Sequence, residues 1–281
     1  MKTSFKTPDR YAEAILHIAD MQEPENEKQP LRFMKVMKEN RGFINQLSPY
    51  SMETEDGLER KNPLIVVLGD SVTAGHFEFN GDMADFFEKL KTQKIDEDQV
   101  IEATDVLHSY ADQFRKMLIE YYDQTAVSVI NSGIAGDTMH GMYRRLERDV
   151  IRYQPDLVII NGSLNWGEED GDDEEYYDVL SKTVQEVKDK TDADIILLTP
   201  NMELPGNPAS NPHSSLKDRV KAIRRVAKEK DVCLADVYKI WETYAEKGYP
   251  LKEQLANGIN HPSIVGHTVY AKALMKLFYN V

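Results

Sequence analysis

The chain has 281 residues, of which 41% are hydrophobic and 29% charged, and its formal net charge is -14 at pH 7. That length suits one doubly wound α/β domain with a short extension, and the hydrophobic fraction is enough for a buried core. The negative charge would repel phosphate backbones and anionic lipid headgroups, so we expect no nucleic acid and no membrane partner; a neutral or cationic small molecule fits better.

The cysteine content limits the kinds of site the chain can form, and the N-terminus bears on localisation. Cys233 is the single cysteine, which excludes an intrachain disulfide and a cysteine-rich zinc site, and its apolar neighbours predict a core position. The first residues lack the continuous apolar stretch of a signal peptide, and no apolar run reaches membrane-spanning length. We therefore expect a cytoplasmic protein.

The first sixty residues carry helical periodicity in two stretches separated by the polar, proline-bearing segment Gln22–Pro30. The apolar positions that define the two stretches are Tyr11, Ile15, Ile18, Leu31, Met34 and Met37. We therefore divide the chain into an N-terminal helical accessory segment, residues 1–60, and a main domain, residues 61–281. The segment is expected to act as a lid or as a subunit contact, which leaves a homo-oligomer open.

From Pro63 onward, short apolar runs alternate with longer amphipathic stretches, a texture typical of βαβ units and a mostly parallel sheet. Five strands are predicted: Leu64–Leu68, Val127–Asn131, Leu157–Asn161, Ile195–Thr199 and Val232–Asp236. Helices are predicted over Ser109–Tyr122, Thr138–Tyr153, Glu174–Lys190, Ser214–Glu229 and Ser263–Phe278. No structure is assigned to the insertion Asp82–Ile101, and Asn201–Pro212 is predicted to be a loop.

The first predicted strand is followed by a turn that carries a serine. In open α/β sheets ligands bind beyond the carboxyl ends of the strands, so this turn is a candidate site. Gly69 permits a sharp turn, and Ser71 would begin a helix with its hydroxyl exposed and its backbone N–H able to face an oxyanion. The alternative is that Ser71 only caps the helix.

The next two strands end in groups that could donate hydrogen bonds to an oxyanion. The glycine-bearing turn Asn131–Thr138 opens onto a helix, and free N–H groups at such a turn bind negative charge, with Gly136 as the candidate donor. The turn has neither the dinucleotide fingerprint nor a Walker lysine, so no nucleotide is expected. After the third strand, the Asn165 amide could donate to the same oxyanion. A purely structural turn is the alternative for both.

A histidine precedes the last predicted helix, in the sequence from Asn257 to Pro262. Because Pro262 fixes the backbone, His261 is expected to belong to a rigid loop and not to a helical face. The remaining histidines show no metal-binding spacing, so neither a metal nor an organic cofactor is expected.

In their order along the chain, these four pieces resemble the four sequence blocks of the SGNH (GDSL-like) hydrolase family. The late Asn-His-Pro block with a following Gly-His pair is similar to carbohydrate-esterase-like members. The resemblance implies a flavodoxin-like three-layer α/β/α sandwich around a five-stranded parallel sheet, with an SGNH hydrolase domain at residues 61–281. It covers that part of the chain and leaves residues 1–60 unexplained.

The resemblance also implies roles for individual residues. Ser71 would attack an acyl carbonyl and His261 would carry the proton, because a serine hydroxyl is a weak nucleophile until a base activates it. The Ser71 N–H, the Gly136 N–H and the Asn165 side chain would hold the oxyanion.

The sequence departs from the family pattern at two positions. Where the family commonly has an acidic residue before the histidine, this chain has Asn257, so the base is expected to be weakened unless an amide oxygen, a backbone carbonyl or the carboxylate of Asp236 orients it. Trp166 follows Asn165, where it could be a stacking platform for a sugar ring or part of the core. The predicted pocket residues are Asp70, Trp166, His76 and His213.

We therefore predict a serine esterase that hydrolyses small acyl esters, with an acylated sugar as the substrate suggested by the resemblance. Two alternatives stay open: a lysophospholipase or thioesterase, and a catalytically impaired binding protein, the latter because of Asn257. Covalent labelling of the serine would separate an enzyme from a binding protein.

Overall fold

The computed structural model describes residues 8–24, 28–40, 62–79, 92, 102–123, 125–205 and 211–279. The insertion Asp82–Ile101 lies almost wholly outside these ranges, as do residues 41–60 of the N-terminal segment and the middle of the loop Asn201–Pro212. The expectations for those parts of the chain remain predictions.

The described strands form one large and one small sheet. They are β1 (Leu64–Gly69), β2 (His76–Phe79), β3 (Glu102–Thr104), β4 (Ser128–Gly133), β5 (Leu157–Asn161), β6 (Asp194–Leu198) and β7 (Cys233–Ala235). The large sheet is parallel throughout and has the order β4-β1-β5-β6-β7, which is the flavodoxin-like order. All five predicted parallel strands are confirmed. The antiparallel pair of β2 and β3 was not predicted.

Helices cover both faces of the large sheet. They are α1 (Asp9–Met21), α2 (Leu31–Glu39), α3 (Ser71–Ala74), α4 (Tyr110–Tyr121), α5 (Met139–Arg144), α6 (Leu146–Asp149), α7 (Asp173–Lys190), α8 (Leu216–Glu229), α9 (Val237–Glu246) and α10 (Ile264–Lys276). None of them, within the described ranges, combines the length and apolar character that a membrane span requires.

The alternation of side chains along the strands divides the core into two clusters. Ile65 and Val67 face the helices α1, α2, α4, α9 and α10, whereas Val66 and Leu68 face α5, α6, α7 and most of α8. Because both faces of the inner strands are covered by helices, β1, β5 and β6 are apolar at nearly every position, whereas the edge strand β4 is more polar and only partly buried. The expected three-layer α/β/α sandwich is confirmed.

The described helices of the N-terminal segment are part of the first cluster. Ile15 and Ile18 of α1 and Phe33 and Met37 of α2 are buried in it. Helix α2 is also tied to the sheet, since the backbone N–H of Phe33 donates to the carboxylate of Asp194 at 2.8 Å. The two helices therefore pack as core elements of the same layer as α10.

Two helical regions differ from the sequence prediction. The single helix predicted over Thr138–Tyr153 is divided into α5, α6 and a 3-10 turn at Ile151–Tyr153, with a break at Arg145, whose φ of -101° and ψ of 7° depart from helical values. Helix α9 was not predicted. Its N-cap is Asp236, which accepts the backbone N–H of Lys239 at 3.1 Å.

Candidate active site

Ser71 lies at the carboxyl end of β1, in the first turn of the short helix α3. Asp70 caps this turn by accepting the backbone N–H of Val72 at 3.0 Å. Because Ser71 begins the turn, its own N–H lies outside the intrahelical hydrogen bonds. Gly75 ends the turn in the left-handed conformation, with φ of 85°.

The Ser71 hydroxyl forms a hydrogen bond with the His261 imidazole. The distance from Ser71 Oγ to His261 Nε2 is 2.9 Å, although the two residues are 190 positions apart in the chain. Each residue is only 6% exposed, so the pair is largely shielded from bulk water. This is the contact that a general base needs in order to take a proton from a serine nucleophile.

The loop that carries His261 is held by backbone and amide hydrogen bonds. The His261 carbonyl accepts the Ala256 N–H at 2.8 Å, and the Asn201 side-chain amide donates to the Asn260 carbonyl at 2.8 Å. Asn201 is itself fixed by Tyr270 of α10, whose hydroxyl donates to the Asn201 side-chain oxygen at 2.9 Å. The role of Asn201, which follows β6, was missed in the sequence.

Asn257 acts on the backbone of this loop. Its side-chain oxygen accepts the backbone N–H groups of Ile259, Asn260 and His261 at 3.0, 3.0 and 2.9 Å, and its amide donates to the Asn260 side chain at 3.1 Å. The contact with His261 is therefore through the main chain and not through the imidazole. Asp236 pairs with Arg224 at 2.7 Å and caps α9, which is a structural role.

The predicted oxyanion donors lie on neighbouring loops. Gly136 has φ of 74°, a conformation that favours glycine, while a side chain at this position would meet nothing within 4 Å. Asn165 contacts the same turn, since its side-chain amide donates to the Asp137 carbonyl at 3.2 Å. The amide carries a second N–H, which could serve an oxyanion.

A buried polar network lies behind the serine. The hydroxyls of Thr73 and Tyr110 are 2.7 Å apart, and the Tyr110 backbone N–H donates to Nδ1 of His267 at 3.1 Å. Burial lowers the pKa of His267 to about 3, so this ring stays neutral and can accept at Nδ1. The network joins α3, α4 and α10.

The four predicted pocket residues lie in different surroundings. His76 is close to the Ser71–His261 pair, with its ring centroid 6.1 Å from that of His261. Asp70 is fully buried under the serine turn, where burial raises the pKa of its carboxyl to about 7. His213 is 65% exposed in its side chain and 3.7 Å from the Glu168 carboxylate.

Trp166 is a core residue in this structure. It is 1% exposed, its indole N–H donates to the Gly171 carbonyl at 3.0 Å, and its ring stacks on His140 with centroids 4.9 Å apart. Tyr176 meets it edge-on at 5.1 Å. Of the two alternatives raised by the sequence, this environment favours core packing over a stacking platform for a sugar.

The residue most clearly missed by the sequence analysis is Arg145. It is 8% exposed, and its guanidinium donates to the backbone carbonyls of Gly69 and Ser132, both at 2.8 Å, and to the Asp137 carboxylate at 2.7 Å. No motif marks it, because its partners come from three separate segments.

A serine–histidine pair at the carboxyl edge of a flavodoxin-like sheet, beside a glycine turn, is the arrangement of a serine hydrolase. No group of three or more histidine, cysteine or acidic side chains able to hold a metal ion occurs among the described residues.

Comparison with known proteins places the chain within that class. Residues 67–269 match the GDSL-like lipase/acylhydrolase family, which is most of the chain, and the protein belongs to this family. It is accordingly a carboxylic ester hydrolase by class. An acetylxylan esterase of Geobacillus stearothermophilus is 28% identical over 170 residues, which are 57% of this chain and 76% of that protein.

Solved structures show the same fold. A lipase/acylhydrolase from Enterococcus faecalis superposes with a TM-score of 0.56 at 24% identity, covering 76% of this chain and 95% of that one. A variant of an acetyl-xylooligosaccharide esterase from Geobacillus superposes with a TM-score of 0.56 at 23% identity, covering 78% of this chain and 95% of that one.

Proposed function

We propose that this protein is a serine esterase that hydrolyses small acyl esters of carbohydrates through an acyl-Ser71 intermediate. The observation that carries the proposal is the 2.9 Å contact between Ser71 Oγ and His261 Nε2. It pairs a hydroxyl nucleophile with an imidazole nitrogen that can accept its proton.

In the proposed reaction, Ser71 Oγ attacks the acyl carbonyl while His261 Nε2 takes the hydroxyl proton. The tetrahedral intermediate collapses to the acyl-serine as the alcohol leaves with that proton. A water molecule then attacks the acyl-serine, again giving a proton to His261, and the carboxylic acid departs as the Ser71 hydroxyl is restored. Each bond formed to the acyl carbon is balanced by one that breaks.

The developing negative charge would be held by the N–H groups of Ser71 and Gly136 and by the Asn165 amide. Support comes from their placement: Asn165 contacts the residue that follows Gly136, and Ser71 begins the turn that follows β1. Loss of one such donor typically costs about 3 kcal/mol of transition-state stabilisation.

The carbohydrate part of the proposal is supported by the acetylxylan esterase relative, whose name states its substrate. A neutral sugar ester also fits the net charge of -14 better than an anionic lipid does.

The test is hydrolysis of p-nitrophenyl acetate, butyrate and octanoate, and release of acetate from acetylated xylo-oligosaccharides. Wild type is compared with Ser71→Ala, and the matched control is Ser181→Ala at a partly exposed position of α7. Removing the nucleophile of a serine hydrolase lowers kcat by roughly 10⁶-fold, so Ser71→Ala should be inert and Ser181→Ala unchanged. A fluorophosphonate should label Ser71 and nothing else.

The outcomes separate the competing functions. Preference for octanoate over acetate would favour the lysophospholipase or thioesterase alternative. Absence of turnover and of labelling in wild type would refute the esterase and leave a binding protein with this fold.

A further inference from the structure

We propose that Arg145 is a positioning residue that sets the distance between the two backbone donors of the oxyanion hole. The inference rests on the proposed function for the identity of those donors, Ser71 and Gly136. The two N–H groups belong to different loops, one after β1 and one after β4. The guanidinium of Arg145 is bonded to both loops.

The contacts of Arg145 divide between the loops. On the serine side, Nη2 donates to the carbonyl of Gly69, two residues before Ser71, at 2.8 Å. On the glycine side, Nε donates to the carboxylate of Asp137, the residue after Gly136, at 2.7 Å. Nη1 adds bonds to the carbonyl and the hydroxyl of Ser132, both at 2.8 Å. We call this set of contacts the Arg145 clamp.

Asp137 links the clamp to the third donor as well. Its carboxylate holds Arg145, while its backbone carbonyl accepts the Asn165 amide at 3.2 Å. The local sequence is adapted to this carboxylate, because a side chain on Gly141 of α5 would overlap an Asp137 carboxylate oxygen. Ser71 and Gly136 thereby lie within two residues of a group in the clamp, and Asn165 bonds directly to one of its residues.

The geometry of the guanidinium matters for this role. Its planar fork presents several N–H groups in fixed directions, so it can bond a carbonyl on one loop and a carboxylate on another simultaneously. A lysine ammonium would keep the charge but could not span the same set of acceptors. Misplacement of a catalytic group by about 1 Å can cost about 10²-fold in rate.

A second carboxylate on the same guanidinium supplies a matched comparison. Nη1 also bonds Asp149 of α6 at 2.8 Å, and Asp149 bonds the exposed Arg148 at 2.5 Å. Asp137→Asn and Asp149→Asn each remove one negative charge beside Arg145. Only Asp137 is adjacent to Gly136, whereas Asp149 lies on α6 and reaches the start of the turn through the Ser132 side chain.

The experiment measures kcat, KM and melting temperature on p-nitrophenyl acetate for wild type, Arg145→Lys, Asp137→Asn and Asp149→Asn. Hydrogen–deuterium exchange is measured on peptides covering 69–75 and 131–138. We expect kcat to fall by about 10²-fold in Arg145→Lys and about tenfold in Asp137→Asn, with KM nearly unchanged, because the clamp acts on the transition state. Both variants should show faster exchange in 131–138, whereas Asp149→Asn, which leaves the Arg145 bonds to Gly69 and Asp137 in place, should change kcat and exchange less than Asp137→Asn does.

Two results would overturn the inference. If Asp137→Asn and Asp149→Asn lost kcat equally, and in proportion to their losses of melting temperature, then Arg145 would only stabilise the fold. If wild type neither hydrolyses esters nor reacts with a fluorophosphonate, the proposed function fails, and the clamp is then decided by exchange alone. The inference is rejected if hydrogen–deuterium exchange in residues 131–138 is unchanged in both Asp137→Asn and Arg145→Lys. If one of the two variants does not fold, the exchange of the other decides.

Discussion

The side-chain oxygen of Asn257 accepts the backbone N–H of His261 at 2.9 Å. The family commonly has an acidic residue at this position, whereas in this chain Asn257 stabilises a turn. Two further backbone N–H groups, of Ile259 and Asn260, share the same acceptor. Asn257 therefore fixes where the His261 backbone lies, while the imidazole is aligned by its bond to Ser71.

Replacing Asn257 by aspartate should change kcat only modestly. The carboxylate keeps the acceptor for three N–H groups and loses only the donor to the Asn260 side chain, a bond of about 1 kcal/mol, or about fivefold in rate. Asn257→Ala removes the acceptor altogether and should lower both kcat and the melting temperature. Kinetics on p-nitrophenyl acetate with freshly purified protein measure this. A gain of a hundredfold or more in Asn257→Asp would show that a carboxylate here reaches the imidazole.

Trp166 should contribute to stability and not to sugar binding. The ring is enclosed by His140 and Tyr176, so Trp166→Ala should lower the free energy of unfolding by roughly 3–5 kcal/mol. Trp166→Phe keeps most of the packing and loses the bond to Gly171. We expect its KM for an acetylated xylo-oligosaccharide to match wild type. A tenfold rise in the KM of Trp166→Phe without a change in urea unfolding would support the alternative that Trp166 stacks on the sugar.

The sheet could be predicted from the sequence because its strands are short apolar runs that differ sharply from the amphipathic helices between them. Helix α9 shows the same kind of signal, with buried residues at three-and-four spacing in Val237, Ile240, Trp241 and Tyr244. The sequence pattern was therefore sufficient to predict this helix, although it was not predicted. The break in the helix at Arg145 could not be predicted from the local sequence, because the side-chain partners of Arg145 are up to 76 positions away.

The site shows the same division. Ser71 and His261 are marked by local turn chemistry, a glycine turn after a strand and a proline before a helix. Asn201 and Arg145 act through contacts that only the folded chain brings together, so no local pattern identifies them. The environment of Trp166 also required the structure, since an aromatic residue after a strand is compatible with either a pocket or the core.

Phe33 of the N-terminal segment should contribute as much to the free energy of unfolding as a buried core residue of the main domain does. It is fully buried, and its ring meets that of Phe278 with centroids 6.0 Å apart. Phe33→Ala should lower the free energy of unfolding by roughly 3–5 kcal/mol. Leu31→Ala, on the exposed side of the same helix, should change it by about 0.5 kcal/mol or less. If urea unfolding of Phe33→Ala matched wild type while ester hydrolysis changed, α2 would be a detachable lid.

The stability conferred by Asp70 should fall as pH rises. Burial raises its pKa from 3.8 to about 7, so between those values the folded protein holds a proton that the unfolded chain releases. The contribution of Asp70 to the free energy of unfolding should therefore decrease through this window and level off above it. Asp70→Asn keeps an acceptor for the Val72 N–H and removes the titration. Urea unfolding at pH 4, 5.5, 7 and 8 measures this. The free energy of unfolding of Asp70→Asn should rise relative to that of wild type as pH increases. A difference between the two proteins that stays constant with pH would mean that Asp70 ionises in the folded protein near its ordinary pKa.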